Sequence, residues 1–155
     1  MANFRVVDIK IQLQGLFEGM TIGGSEDEKG YGGFSARLQL SDIVVFKDSK
    51  GNVAPENTPI PGNDWINIIS KTGERNKPYG LAIIPSSDNP GYPNTWILRS
   101  KASMQNAVYP FPGAVPATLS NKTPLVLKYR LVVHDGLIDK AALVELQQNY
   151  FNKSD

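Results

Sequence analysis

The sequence predicts an all-β fold: an antiparallel β-sandwich with one C-terminal helix. Three observations carry that expectation. Short apolar runs alternate at period two, fourteen glycines and eleven prolines punctuate them, and the helical period surfaces only near the C-terminus. At 155 residues the chain has the length of one domain, 1–155, and can bury a real core.

Arg5 to Leu16 alternates almost without interruption. Val7, Ile9, Ile11 and Leu13 point inward while Asp8, Lys10, Gln12 and Gln14 point outward, as in a half-buried strand. A glycine-rich break from Gly19 to Gly33 carries Glu26, Asp27 and Glu28. Alternation resumes from Gly33 to Leu40, with Phe34, Ala36, Leu38 and Leu40 inward and Ser35, Arg37 and Gln39 outward. Ile43 to Phe46 is a short apolar strand, and Asp48-Ser49-Lys50-Gly51-Asn52 is a hairpin turn. Pro55 to Asn63 holds three prolines and reads as loop, since proline cannot donate to a central ladder.

Trp65 to Ser70 and Tyr79 to Ile84 read as paired strands joined by the polar segment Lys71 to Pro78. Pro85 to Asn94 is loop, Thr95 to Arg99 a strand, and Met104 to Tyr109 a weaker one. After the proline-rich connection Pro110 to Thr123 comes the central strand, PLVLKYRLVVHDG, from Pro124 to Gly136. Leu125, Leu127, Tyr129, Leu131 and Val133 share one face. Val126, Lys128, Arg130, Val132 and His134 share the other, expected to meet solvent or ligand. Then the period changes. Ile138, Ala142, Leu143, Leu146 and Tyr150 share one face of a helix over about 138–151, with Asp139 as N-cap and Ile138 and Leu143 placed for a hydrophobic staple.

Sixteen basic and fifteen acidic residues leave a formal charge of +1, so no nucleic acid and no anionic membrane is expected as partner. No apolar run approaches the roughly 20 residues that span a bilayer. MANFRVVDIKIQ lacks a signal-peptide core, so the chain as given reads as soluble, with its compartment open. Cysteine is absent and histidine occurs once. That inventory excludes disulfides, a cysteine nucleophile and a metal site built from histidine and cysteine; no cofactor is implied.

Several stretches line up, in order, with a known family. GGFSARL at Gly32 to Leu38, the Trp65 strand, YGLAII at Tyr79 to Ile84, NPGYPNTWILR at Asn89 to Arg99, and LKYRLVVHDG at Leu127 to Gly136 resemble the C-terminal part of the PmoA-like family. The family is labelled "methane oxygenase PmoA", though its sequences do not look like a membrane copper monooxygenase. The resemblance runs from about Arg5 to Gly136. It implies a shortened form of the galactose-mutarotase supersandwich, and a mostly bacterial, often exported set of relatives encoded beside carbohydrate-degrading genes. Arg37, Trp65, Asn89, Trp96, Arg99 and His134 match the family pattern. Members are longer, with strands ahead of the position of Arg5. They usually carry histidines where this chain has Ser86, Tyr92 and Ile97, so most of the imidazole is lost here.

The resemblance therefore implies a carbohydrate ligand, bound by Arg37, Trp65, Asn89, Tyr92, Trp96 and Arg99. Indoles stack on the C–H face of a sugar, and guanidinium groups bind hydroxyls or a uronate carboxylate. Asn89 and Tyr92 add the advantage of a Gly/Pro loop held by a rigid sheet. Against this stands the plainer reading of core tryptophans and solvated arginines. His134 is the one candidate for a catalytic acid, with Glu18 or Asp42 as the base a mutarotase-type reaction would need. Asp135 points to the other face and cannot orient it, so a strand-end histidine before an Asp-Gly turn is the preferred reading. Glu26-Asp27-Glu28 offers oxygen ligands for calcium, but a solvated acidic loop accounts for it better. Asn121-Lys122-Thr123 and Asn152-Lys153-Ser154 fit a glycosylation pattern that means little in a bacterial chain.

The expected function is carbohydrate recognition with weak or no catalysis. The alternatives are a glycan hydrolase or epimerase using His134, and a structural module that forms homo-oligomers through unpaired edge strands. A sugar site of the expected kind needs Arg37, Trp96, Arg99 and His134 on one concave face.

Overall fold

A computed structural model describes residues 3–23, 32–39, 41–71, 77–101 and 104–152. Glu26, Asp27, Glu28, Leu40, Lys153, Ser154 and most of the segment joining the Trp65 and Tyr79 strands lie outside them. The described strands are β1 (Asn3–Leu13), β2 (Thr21–Ile22), β3 (Gly33–Arg37), β4 (Ile43–Asp48), β5 (Gly51–Val53) and β6 (Ile66–Lys71). They continue as β7 (Pro78–Pro85), β8 (Thr95–Ile97), β9 (Met104–Val108), β10 (Ala117–Thr118) and β11 (Leu125–Asp135), and α1 (Lys140–Phe151) closes the order. The expected all-β architecture with a C-terminal helix is what forms.

β1, β11, β7, β6, β4 and β5 make a six-stranded antiparallel sheet in that spatial order. Its length comes from β1 and β11, paired from Asn3↔Asp135 to Leu13↔Leu125. A three-stranded sheet, β3-β9-β8, lies over one face of it. Side chains opposite one another across a ladder share a face, and so Tyr129, Ile83, Ile66 and Phe46 meet Phe34, Trp96, Leu98 and Ala107 in the sandwich core. Phe34 and Tyr129 stack with ring centroids 4.6 Å apart.

The other face of the large sheet is covered by α1. Ile138, Leu143 and Tyr150 pack on Trp65, Ala82, Ile84 and Val132. The helix starts where its cap residue dictates: Asp139 accepts a hydrogen bond from the Ala142 N–H at 2.7 Å, satisfying a donor that the first turn leaves free. Ile138 and Leu143 sit in the same cluster, as a staple requires.

Two expectations are corrected. The second face of β11 is closed from solvent over Arg130, Val132 and His134, which are buried, while Val126 and Lys128 are half-buried. Conversely Val133, on the apolar face, is exposed. The proline-rich connection and the glycine-rich break also carry a two-residue ladder, β10 with β2.

One residue fastens the layers. Arg130 makes a two-pronged contact with Asp8, Nε to Oδ1 at 2.6 Å and Nη2 to Oδ2 at 2.7 Å. Its Nη1 donates to the Leu146 carbonyl at 2.9 Å, and the guanidinium lies 4.6 Å from the centre of the Tyr150 ring. The Asp8 carboxylate raises the Arg130 pKa above its ordinary value. So a single cation joins β1, β11 and α1. No helix among the described residues is long and apolar enough to cross a membrane.

Candidate functional site

The helix side of the large sheet leaves a groove of about 400 Å³ between the start of α1 and the β4–β5 hairpin. Its floor is set by strand periodicity. Trp65, Asn67 and Ile69 fall at period two, on the face of β6 turned toward α1. One wall is Leu137, Ile138, Asp139, Lys140 and Leu143; the other is Lys47 to Gly51. The hairpin holds its shape because Asp48 Oδ1 accepts from the Lys50 and Gly51 N–H groups at 2.7 and 2.9 Å. Its other oxygen accepts from the Asn63 amide. Gly51 supplies the positive φ of 141° that the turn needs.

Trp65 is only 2 % exposed, and its indole N–H, like that of Trp96 in the sandwich core, is buried without a hydrogen-bond partner among the described residues. An unsatisfied buried donor costs about 1–3 kcal/mol. Lys47, Lys50 and Lys140 take part in none of the ion pairs among the described residues. An aromatic and aliphatic floor with donors around it suits a ligand that has both a C–H face and acceptor oxygens.

His134 lies behind this floor. It is 2 % exposed, with Nδ1 2.7 Å from the Gly136 carbonyl and Nε2 2.9 Å from the Asn67 amide. Burial lowers its pKa, against a smaller opposing effect of the Gly136 bond. The neutral ring therefore carries its proton on Nδ1, where only a carbonyl can accept it. Nε2 is then an acceptor. Amide nitrogen and oxygen exchange by a half-turn of the side chain, so the neutral ring selects the Asn67 orientation that donates N–H to Nε2. Gly80 makes room for this: a Cβ there would meet the Ile68 carbonyl and come within 2.7 Å of the imidazole.

The expected acid–base pairing has no geometric basis. Both His134 nitrogens are engaged within the fold. Asp42 precedes β4, three strands from β11, which is about 14 Å of sheet. Glu18 lies beyond the Leu13↔Leu125 end of the ladder, about 30 Å from His134 along the strand.

The other sequence candidates do not converge with His134. Trp96 is fully buried in the sandwich core, on the opposite side of the large sheet from Trp65, so neither indole offers an open face for stacking. Arg37 is exposed at the end of β3, paired with Met104. Arg99 follows β8 at the same end of the three-stranded sheet, its N–H and C=O both bonded to the Gln105 side chain. Asn89 is buried and holds the loop to β11, donating to the Lys128 carbonyl at 2.8 Å and accepting from its N–H at 2.7 Å. Tyr92 donates to Asp64 at 3.2 Å and meets Phe151 edge-on. Burial, with Asp64 adding to it, pushes the phenol pKa up to about 12. Ser86 and Ile97, where the resembling family carries histidine, are fully buried. Of the expected ligand-binding set only Trp65 borders the groove; Asn67, Lys47, Lys50 and Lys140 had no sequence signal beyond strand and turn.

Two further grooves are less suited. One of about 270 Å³, lined by Leu38, Ile68, Tyr79, Leu81 and Val133, offers little polar recognition. The other, beside Phe4 and His134, borders an imidazole already satisfied and Asp135 already paired with Lys77 at 2.8 Å. Among the described residues no three His, Cys, Asp or Glu side chains cluster to hold a metal.

No curated protein and no solved structure matches the chain. Over residues 2–148 it matches one family, and it belongs to that family, described as a family of unknown function (DUF6807).

Proposed function

We propose that this domain binds carbohydrate, and that the ligand lies in the groove between α1 and the β4–β5 hairpin. The observation that carries the proposal is the make-up of the groove: an apolar floor of Ile69, Ile138 and Leu143 around Trp65, rimmed by Lys47, Lys50 and Lys140. The C–H face of a sugar meets the floor, and its hydroxyl and ring oxygens accept from the rim. The resemblance to the PmoA-like family, with its mutarotase-like sandwich and carbohydrate-linked gene neighbours, supports the same ligand class. It remains an argument from likeness, and the site has to carry the function. A binding role fits the geometry better than a hydrolase or epimerase role, because the lone imidazole is committed to Gly136 and Asn67.

Titration of tryptophan emission with a panel of oligosaccharides tests this. At least one is expected to shift the emission, and Trp65→Phe, which exchanges the indole of the floor for a smaller ring, weakens binding about 5- to 10-fold as read by calorimetry. Trp96→Phe leaves the affinity unchanged. A panel that leaves both emission and calorimetric heat flat overturns the proposal.

A second reading is favoured by one observation. β1 forms the margin of the large sheet with its outer side unpaired over 11 residues, and Phe4, Val6 and Val7 on it are exposed. Such an edge can pair with a second copy, although Arg5, Asp8 and Lys10 oppose indiscriminate pairing. Sedimentation at increasing concentration tests it: a dimer that Val7→Pro dissolves supports self-pairing, and a monomer throughout removes it.

A further inference from the structure

The charge at the groove is one-sided. Its cations are the ammonium groups of Lys47, Lys50 and Lys140. The ion pairs among the described residues join Lys77 to Asp135, Lys128 to Asp88 and Arg130 to Asp8, and leave these three lysines out. The two carboxylates in the groove are already employed. Asp48 is held by the Lys50 and Gly51 N–H groups and the Asn63 amide. Asp139 caps Ala142. Their negative charge is therefore turned toward the turn and the helix end. The positive end of the α1 dipole is met by its own cap, which leaves the lysines as the cationic element of the site.

We infer that the groove selects an acidic saccharide, one bearing a carboxylate or sulfate group, over a neutral sugar. The inference rests on the proposal that a saccharide occupies this groove. A neutral sugar meets the apolar floor but brings no counter-charge to three ammonium groups. A uronate adds acceptor-only oxygens that each lysine can meet with a charge-assisted bond. The walls that carry the lysines stand on opposite sides of the floor, Lys47 and Lys50 on the hairpin and Lys140 on the first turn of α1. A saccharide lying along the floor thus has a cation to either side, whichever end its acid group occupies. Lysine, as a flexible point charge, selects for charge more than for the planar geometry of one carboxylate. That suits a class of acidic sugars rather than a single one.

The test compares an oligogalacturonate with its fully methyl-esterified form, which keeps the sugar and removes the charge, and with inorganic sulfate. The acid is expected to bind at least about 10-fold more tightly than the ester, by an increment that shrinks as salt rises from 50 to 500 mM. Lys47→Gln, Lys50→Gln and Lys140→Gln together abolish the increment and leave ester binding and the unfolding midpoint in place. Equal binding of acid and ester, indifferent to the lysine changes, overturns the acidic selection and retains the saccharide site. Binding of neither overturns both. Sulfate competing as effectively as the oligogalacturonate reduces the groove to a simple anion site and overturns the saccharide selection.

Discussion

The two faces of the six-stranded sheet are built from the same strands and finished in different ways. Toward β3, β9 and β8 the cluster is larger and mainly apolar, with Trp96, Tyr129 and Phe34 at the centre, and the polar side chains buried beside it, Gln105 and Asn106, bond to backbone. Toward α1 the apolar cluster is smaller, and polar side chains are buried beside it: Arg130, His134, Asn67 and Gln147. One helix of 12 residues cannot cover a sheet six strands wide. It leaves a groove along one flank and a set of directed hydrogen bonds under the rest. The sandwich face supplies the larger apolar core, whereas the helix face leaves the groove proposed as the site.

Breaking the sandwich face is expected to cost most. Trp96→Ala empties a fully buried position and should cost about 3–5 kcal/mol, with the whole molecule losing stability in urea unfolding. A smaller loss, confined to α1, would show that the two faces contribute alike. Arg130→Met keeps much of the side-chain volume but removes the links to Asp8, Leu146 and Tyr150. Because Asp8 is half-exposed and its pairing correspondingly screened, about 2–3 kcal/mol is expected. Hydrogen exchange should accelerate in α1 and β1 while β9 keeps its protection; uniform acceleration would deny the layers their independence.

The smallest effect concerns pH. Burial holds the folded His134 below its ordinary value of 6.5, so below that pH the unfolded chain binds a proton that the folded chain refuses. Stability then falls as pH drops from 6.5 toward the lowered folded value, by up to about 1.4 kcal/mol per pH unit. His134→Gln should flatten this slope between pH 6.5 and about 5, above the main carboxylate titration. A slope that persists in the variant assigns it to other groups.

Strand periodicity made much of the fold legible. β3, most of β11 and the second half of β1 follow the alternation of their apolar residues, although Val7, expected inward, is exposed; β6 and β7 are buried on both faces, and Asp139 announced the helix start through a cap whose chemistry is local. Periodicity separates the faces of a strand; it does not say what lands on them. Arg130 and His134 read as solvent-facing because nothing within LKYRLVVHDG shows that a later helix will cover them. The β2–β10 ladder, two residues a side, is too short to have a period at all. The candidate site was still less legible. Lys47 and Lys50 belonged to a hairpin and Lys140 to a helix start far along the chain, and only the strand order β7-β6-β4-β5 with α1 above it brings them together. Tryptophan drew attention in both places, but residue type alone cannot tell an indole sealed inside a sandwich from one bordering a groove.

The pairing of β1 with β11 also bears on how the protein is made. Among the described residues the ladder of β1 runs from Asn3↔Asp135 to Leu13↔Leu125, so β1 waits for a strand far along the chain. Until β11 has left the ribosome, Ile9, Ile11 and Leu13 have no native partner to join. Emergence of β11, rather than growth of the chain before it, is the moment at which the broad sheet can close.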